Sequence, residues 1–572
     1  MDAAEGIPEA VQDAVTLDQE FLCLYCRERE RGNNQDIRRI TEDKGMRRNA
    51  MHTLRLHIKT TAADEALLMK RFRLMNRIHN VLVKRCMALL AKLGNDRAYQ
   101  GLLSAYRALG KDGNPKERKR LTAEMSEVRE CIGLTKAALE KYISVEQKRY
   151  SAHITSHQAQ AEVSRVWESV ERVLFGNGKR LRFRKLESMR TIGGKSVNGV
   201  RFLSPINAGY FKKTVPSVPG WECQMEWNGL QAEVSCDLKD PYVYESLQHD
   251  IAYCEVERLP FAGGDRWYII LYLDGAAPKK ISPGSSTIGI DPGVSTFNGV
   301  SETKAFLREL APEAPARKKA IAAMQRKVER SVRASNPELY NSDGTVKKRR
   351  TVKTSRGSRK VPHEWKFSKR CLRKKQELRV MHRKCSAYVR QSHNELCNEI
   401  MADSVNAVME PMDYAALAKR AKATSRREKA SAVRKKDGST VMVRRFRRKK
   451  RFGSSIGMRS PSIFLEILKR KIRQYGGTFL EVCRNSFRAS QYDHSTDTFT
   501  KHPLSSRVKE IGGHTVQRDL YSAFLIRNTR PDLQAADREK CTSTFSSFLE
   551  LQAKAVLDTQ LLGMSMPACF GF

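Results

Sequence analysis

The sequence predicts a multidomain α+β protein with an N-terminal helical block, an antiparallel β domain and a C-terminal α/β half. Three observations predict it. Residues 63–174 carry apolar positions at helical spacing. Residues 180–285 break into short alternating apolar and polar runs separated by Gly and Pro. From 288 to 530, strand-like apolar runs are interspersed with long basic helices.

Residues 1–50 lack periodicity and read as a loose leader. Its acids (Asp2, Glu5, Glu9, Asp13, Asp18, Glu20) precede the first cation, Arg27, the reverse of a secretory signal peptide. His52–Thr60 alternates like a half-buried strand, so residues 51–61 are assigned to the β domain as its first strand. Leu67, Leu68, Phe72, Met75, Ile78, Leu82, Met87 and Leu90 form one helical stripe between 63 and 93. After a break at Gly110–Pro115, residues 116–150 read as one helix and 163–174 as another, giving a helical block over 62–178. The β domain spans 179–285, with strands in Gln231–Cys236, Ala252–Val256 and Arg266–Leu273. The α/β half begins at 286 and runs to 482. It holds the strands Ile288–Val294, Val405–Glu410 and Thr478–Val482, basic helices over 316–335 and 366–403, and a helix at Ser462–Tyr475 stopped by Gly476-Gly477. A segment at 483–517, a last helix near Arg518–Arg527 within 518–534, and a tail at 535–572 complete the chain.

The formal charge is +42, and it is concentrated. Lys347–Lys384 holds 17 Lys and Arg against two acids, and Ala418–Arg451 holds 16 against two. Blocks this dense repel themselves unless a polyanion neutralises them, and a phosphate backbone does so with release of counterions. Lys347, Lys348, Arg349, Arg350, Arg370, Arg373, Lys374, Arg444, Arg445, Arg447, Arg448 and Arg451 are therefore the candidate nucleic-acid contacts. Trp365, Phe367 and Phe446 sit within or beside the blocks, where they serve either base stacking or loop anchoring. No window offers 18 uncharged apolar residues, which excludes a transmembrane helix and, with no amphipathic anchor, leaves no membrane partner expected. The 13 cysteines are scattered, unlike a secreted disulfide framework, and the expected location is cytoplasmic, nucleoid-associated in a prokaryote. Cys23-x-x-Cys26 is a lone pair that reads as buried thiols, as do Cys371, Cys385 and Cys397.

Three acids stand out. Asp291 ends an apolar strand before Pro292-Gly293, Glu410 ends a second before Pro411, and Asp519 opens a helix. Carboxylates from two strand ends and a helix start can converge over a sheet edge, where hard oxygen ligands suit Mg²⁺ or Mn²⁺. Two such ions support phosphodiester hydrolysis. Each acid also has an ordinary explanation, as a turn residue or a helix-start residue, and the pattern by itself leaves both open.

Gly289-Ile-Asp-Pro-Gly-Val-Ser-Thr-Phe297 resembles the first RuvC motif of TnpB proteins and compact type V CRISPR effectors. Ser392-His-Asn-Glu-Leu-Cys-Asn-Glu-Ile400 through Val408-Met-Glu410 is similar to their bridging helix and second motif. Arg518-Asp519-Leu-Tyr-Ser-Ala523 resembles the third, and Phe464–Gly477 resembles the family's glycine-terminated helix. Separations of 119 and 109 residues between the acids fit the same order.

The resemblance implies an RNase H-like (RuvC) nuclease domain with helical insertions, with the helical block as a recognition domain and the β domain as a wedge. It implies Asp291, Glu410 and Asp519 as catalytic Mg²⁺ or Mn²⁺ ligands of an endodeoxyribonuclease. Its partners would be a guide RNA, either a CRISPR RNA or a transposon-derived RNA, and double-stranded DNA bearing a short flanking motif. Asn76 and Asn80 are candidates to lie near that motif. The alternative is a guide-dependent DNA-binding protein that represses without efficient cleavage. The family's paired CxxC zinc ribbon is missing between the second and third motifs, where Cys483 is the sole cysteine. Residues 483–517 are thus expected to be a degenerate, metal-free form of the target-loading segment. His494, His502 and His514 with Cys483 match no standard zinc spacing, and no zinc is expected.

Overall fold

The computed structural model describes residues 51–572 except for 111–113, 177, 195–198, 207–218, 355–356, 420–427, 429, 435–438, 445–451, 504–505, 562–569 and 571–572. The leader, including Cys23 and Cys26, lies outside the described residues, as does Phe446. The chain is mixed α/β and divides into two units, one within Met46–Lys280 and one from Ile281 onward.

In the first unit, β1 (Met51–Ile58) alternates exposed and buried residues and turns Leu54, Leu56 and Ile58 inward. It sits inside a seven-stranded antiparallel sheet of order β2-β6-β7-β1-β5-β4-β3. The other strands are β2 (Thr191–Gly193), β3 (Arg201–Leu203), β4 (Gln224–Trp227), β5 (Leu230–Ser235), β6 (Ile251–Phe261) and β7 (Gly264–Asp274), with the short helix α6 (Pro241–Leu247) between β5 and β6. Helix α1 (Ala62–Gly94) starts at a capping box made by Thr61 and Asp64 and buries Leu68, Phe72, Met75, Ile78 and Leu82. Phe72 meets Trp267 of the sheet edge to face, with ring centroids 5.2 Å apart.

Residues 116–150 are not one helix. They form α3 (Pro115–Cys131) and α4 (Lys136–Lys148), following α2 (Arg97–Ala108). Gly133 adopts φ +75 and Leu134 N–H closes back on the Arg129 carbonyl, a glycine-type helix stop invisible to hydrophobic periodicity. Thr135 then caps α4.

Helix α5 (Ser156–Leu174) buries Glu162, which accepts from His79 Nδ1 at 2.6 Å and pairs with Arg184 at 3.0 Å and Arg165 at 3.2 Å. Burial opposes its charge, but His79, Arg184 and Arg165 overcome that and hold the carboxyl down at about 2. Burial keeps His79 neutral, so the imidazole acts as a donor rather than a cation.

The second unit is built on a five-stranded sheet of order β10-β9-β8-β13-β16. Here β8 (Ser286–Pro292), β9 (Thr296–Val300) and β10 (Ala305–Glu309) are antiparallel. Strands β13 (Ser404–Met409) and β16 (Phe479–Glu481) run parallel to β8. Between β10 and β13 stand helix α7 (Ala314–Ser335), the ribbon β11 (Thr351–Thr354) with β12 (Gly357–Lys360), and the 35-residue helix α8 (Lys369–Asp403). A second ribbon, β14 (Ser431–Arg434) with β15 (Thr440–Val443), follows β13. Three longer helices follow: α9 (Pro461–Gln474), α10 (Arg518–Arg527) and α11 (Arg538–Leu561). The segment expected as a tail is thus largely the 24-residue helix α11, whose Phe548 and Ala555 are buried.

Each sheet face carries its own core. Ile288, Ile290, Phe297 and Met409 pack with α8 and α9 residues such as Ile400, Phe464 and Leu468. Val300, Leu307 and Val408 belong instead to the core containing Leu520, Phe524 and Phe548 of α10 and α11. Coverage of both faces explains why β8 and β13 read as nearly continuous apolar runs.

Glu162 yields a pH prediction for the first unit. A carboxyl depressed in the folded state stabilises above its unfolded value of 4.5 and loses that contribution as pH falls towards about 2. Glu162→Gln should cost about 3 kcal/mol near neutral pH by removing the buried charge that Arg184 and Arg165 face. Thermal unfolding at pH 7 and pH 3 should show the gap between wild type and variant narrowing on acidification.

Candidate active site

Strand parity brings the acids together. Successive residues of a strand face opposite sides, so Gly289 and Asp291 face away from the Ile288 and Ile290 core, towards α10. Val408 belongs to the α10 core and Met409 to the other, so Glu410, one residue beyond β13, falls on the α10 side as well. Met409 pairs with Ile290 in parallel register and the Glu410 N–H donates to the Ile290 carbonyl at 3.3 Å, which sets Glu410 beside Asp291. Asp519 lies in the first turn of α10, a position the helix dipole favours for a carboxylate. Gln517 caps that turn, its side chain accepting from Leu520 N–H at 2.5 Å.

Helix α10 reaches the sheet because β8 presents a glycine to it. A Cβ at position 289 would overlap the Ala523 carbonyl oxygen and the Arg527 amide nitrogen, and would stand 2.8 Å from Arg527 Cα. The helix is buried almost all round, over Leu520–Ile526. It is enclosed by the sheet on one side and α11 on the other.

The electrostatics follow from this crowding. Burial raises the Asp291 carboxyl well above the usual carboxylate range, Asp519 and Glu410 raise it further, and Arg518 partly opposes them. Burial also raises Glu410, against Arg484. Asp519 is engaged by its neighbour: Arg518 Nε and Nη2 donate to one carboxylate oxygen at 3.0 and 2.8 Å. Arg518 Nη1 donates to the Ser506 carbonyl at 3.1 Å, and Arg507 stands 3.9 Å from the other Asp519 oxygen.

Sequence reasoning missed three further residues, Asn298, Tyr414 and Arg484, and gave Arg518 only as part of the third motif. Asn298 is paired directly opposite Asp291, is 1% exposed, and leaves its Oδ1 buried without a hydrogen-bond partner among the described residues. The Tyr414 hydroxyl donates to the Gly293 carbonyl at 3.1 Å and fixes the turn after Asp291. Arg484 and Arg518 set the charge around Glu410 and Asp519. Only Arg518 had a local signal, as the residue before the acid.

The donor set suits a hard divalent cation: three carboxylates plus the unpartnered amide oxygen of Asn298. Among the described residues, however, no three Asp, Glu, His or Cys side chains are already gathered into a coordinating shell. The Arg518 pairing is the visible reason on the Asp519 side.

The 483–517 segment is held by apolar packing. Val482, Phe487, Ala489, Tyr492, Ile511 and Val516 join the α10 core. His494 is buried, with its ring 4.7 Å from Phe545 and its Nδ1 2.8 Å from the Tyr521 hydroxyl. His502 and His514 are exposed.

Of the basic candidates, Lys347, Lys348, Arg349 and Arg350 line the approach to β11 and are exposed, as are Arg370 and Arg373 near the start of α8. Lys374 is half-buried, and Arg444 is exposed just after β15. Arg445, Arg447, Arg448 and Arg451 lie outside the described residues. Trp365 is an anchor, packed with Val328, Val332 and Cys371, whereas Phe367 is 38% exposed beneath Lys375. Asn80 is committed to Arg184, exchanging two hydrogen bonds with its backbone at 3.0 and 2.8 Å, and the Asn76 side-chain oxygen is buried. Among the described helices none is long and apolar enough to cross a membrane.

No protein-family model matches the chain, and no curated protein matches it. Its structural neighbours are compact type V effectors. One is a Cas12f1 in complex with single-guide RNA and target DNA, at 11% identity and a TM-score of 0.37, covering 85% of this chain and 99% of that one. Another is a CRISPR-Cas12f ternary complex, at 10% identity and a TM-score of 0.23, covering 91% and 96%. A third is the mini RNA-guided endonuclease Cas-phi3, at 8% identity and a TM-score of 0.31, covering 90% and 96%. At these scores the functional reading rests on the site itself.

The contact at Gly289 is testable. Gly289→Ala should destabilise the protein by roughly 3 kcal/mol, lowering the melting temperature by roughly 6–12 °C, because the overlap is with backbone that cannot step aside. Gly457→Ala, at an exposed helical position with open space around its Cβ site, should leave melting unchanged or raise it slightly.

Proposed function

We propose that this protein is an RNA-guided DNA endonuclease of the compact type V and TnpB kind, with a metal-dependent, RuvC-like catalytic site. The observation that carries the proposal is the placement of Asp291, Glu410 and Asp519 on one side of one sheet, at two adjacent parallel strand ends and a helix start. We read the order β10-β9-β8-β13-β16, three antiparallel strands continued by two parallel ones, as an RNase H-like arrangement. In the same reading the helical block and seven-stranded sheet serve as recognition and wedge domains. The partners are a guide RNA and a double-stranded DNA target, drawn to a chain of charge +42.

Asp291, Glu410 and Asp519 would hold Mg²⁺ or Mn²⁺. When bound, such ions activate a water and neutralise charge at the scissile phosphate. The chain's own residues prepare that chemistry. Parallel register holds Glu410 beside Asp291, Tyr414 fixes the backbone that follows Asp291, and two Arg518 N–H donors orient the Asp519 carboxylate. Apolar packing beneath the carboxylates keeps bulk water from screening them.

One observation favours a second reading, guided binding without efficient cleavage: Asp519 is engaged by Arg518 and the acids are not yet gathered. A single experiment separates the two. The protein is purified with its neighbouring locus co-expressed, its bound RNA is sequenced, and a matching duplex is offered with Mg²⁺. Wild type should cut, while Asp291→Ala should cut at least roughly 10³-fold more slowly and shift the duplex equally well in a gel. Cutting by the variant sinks the catalytic assignment, RNA-programmed binding without cutting supports the second reading, and no programmable binding removes both.

A further inference from the structure

The excursion between α7 and α8 is a built feature. Asn336, fully buried where α7 ends, donates to the Val332 and Lys366 carbonyls at 2.8 Å each and accepts from Lys366 N–H at 2.7 Å. This closes the base of the excursion. Above it, Val361 N–H donates to the Arg350 carbonyl at 2.8 Å and His363 Nε2 lies 2.8 Å from the Lys347 carbonyl. The stretches before β11 and after β12 are thereby held side by side, with Trp365 anchoring them to α7 through Val328 and Val332.

Between them lies an open cleft of about 390 Å³. Its cations are Lys347, Lys348, Arg350 and Lys366, and Val361 and Pro362 supply an apolar surface. Val361 is 42% exposed. Among the described residues none of the four cations is in an ion pair, although Glu338 and Glu364 line the same cleft. In the same unit Arg333 is paired with Glu329 and Arg459 with Glu309. Four unpaired cations around an apolar patch form an anion site with a surface for a flat, weakly polar group.

From this the geometry points to a subsite for single-stranded nucleic acid, with phosphates at Lys347, Lys348, Arg350 and Lys366 and a base face against Val361 and Pro362. The volume suits about one nucleotide, at the lower end of ordinary ligand clefts. A duplex fits less well, because its base faces are stacked inside and the apolar patch would go uncovered. RNA and DNA strands share the chemistry used here. The inference rests on the polyanion reading of the basic blocks, but it requires neither a guide sequence nor cleavage.

The test uses the full-length protein without divalent ions, with fluorescent oligo-rU, oligo-dT, an abasic strand and a duplex of equal length, from 50 to 300 mM salt. Substituting Lys347, Lys348, Arg350 and Lys366 together by Gln should flatten the log–log salt slope for single strands by about 3, since each phosphate contact contributes about 0.7. A control with Lys319, Arg326, Lys327 and Arg330 on α7 changed to Gln removes the same charge from another surface. For duplex, the two variants should behave alike. Val361→Ser should narrow the preference for oligo-dT over the abasic strand. Equal slope changes in cleft and control variants, or a larger effect on duplex than on single strands, would overturn the subsite. An unequal response of oligo-rU and oligo-dT would identify which strand it holds. Melting curves should match wild type, because the four side chains are exposed. Programmed cleavage can fail while this slope change stands, and the reverse, so the two proposals fall separately.

Discussion

The second unit depends on one backbone contact. Helix α10 lies directly on β8 where Gly289 offers no side chain, with the Ala523 carbonyl and Arg527 amide in the space a Cβ would fill. That approach decides where Asp519 stands relative to Asp291. It also forces three carboxylates into one poorly solvated region, where Asp519 and Glu410 each push the Asp291 carboxyl up. Like charges held this close destabilise a fold unless a cation stands among them. Arg518 answers part of that cost for Asp519 and opposes the rise at Asp291 only in part.

Strand alternation does the rest. Because Ile288, Ile290 and Met409 fill one core, Asp291 and Glu410 have to face the other side. Much of this was legible in the sequence: the apolar runs, the acids at their ends, and the Pro and Gly residues that stop them. The α10 boundaries Arg518–Arg527 were readable for the same reason, since the run is short and apolar between polar ends. The parallel pairing of β13 with β8 was not, because register across more than a hundred residues leaves no local trace. Nor was the burial of α10 on every side, which depends on α11 covering it, and α11 itself was hidden by weak periodicity.

Misreadings elsewhere have similar causes. The 116–150 helix breaks at Gly133 because of a positive φ, a backbone property that side-chain periodicity does not report. Asn80 looked free for recognition, but two hydrogen bonds to Arg184, 104 residues away, occupy it. Trp365 reads equally as a stacking or an anchoring residue, and the choice falls to anchoring because Val328 and Val332 of α7 surround it. In the 483–517 segment, where the histidine and cysteine spacing fits no zinc site, the fold sets His494 among Tyr521, Phe524 and Phe545. For Asn80, Trp365 and His494 the deciding partner is distant in sequence.

The claim on which the account turns is that Asp291, Glu410 and Asp519 form one metal centre. Manganese titration of the full-length protein, followed by electron paramagnetic resonance of free Mn²⁺, tests it without any need for a guide or substrate. Wild type should take up Mn²⁺, and Asp291→Asn, Glu410→Gln and Asp519→Asn should each weaken that uptake by at least about tenfold while remaining folded. Uptake unchanged in all three variants would contradict a shared centre and leave the acids as separate structural residues.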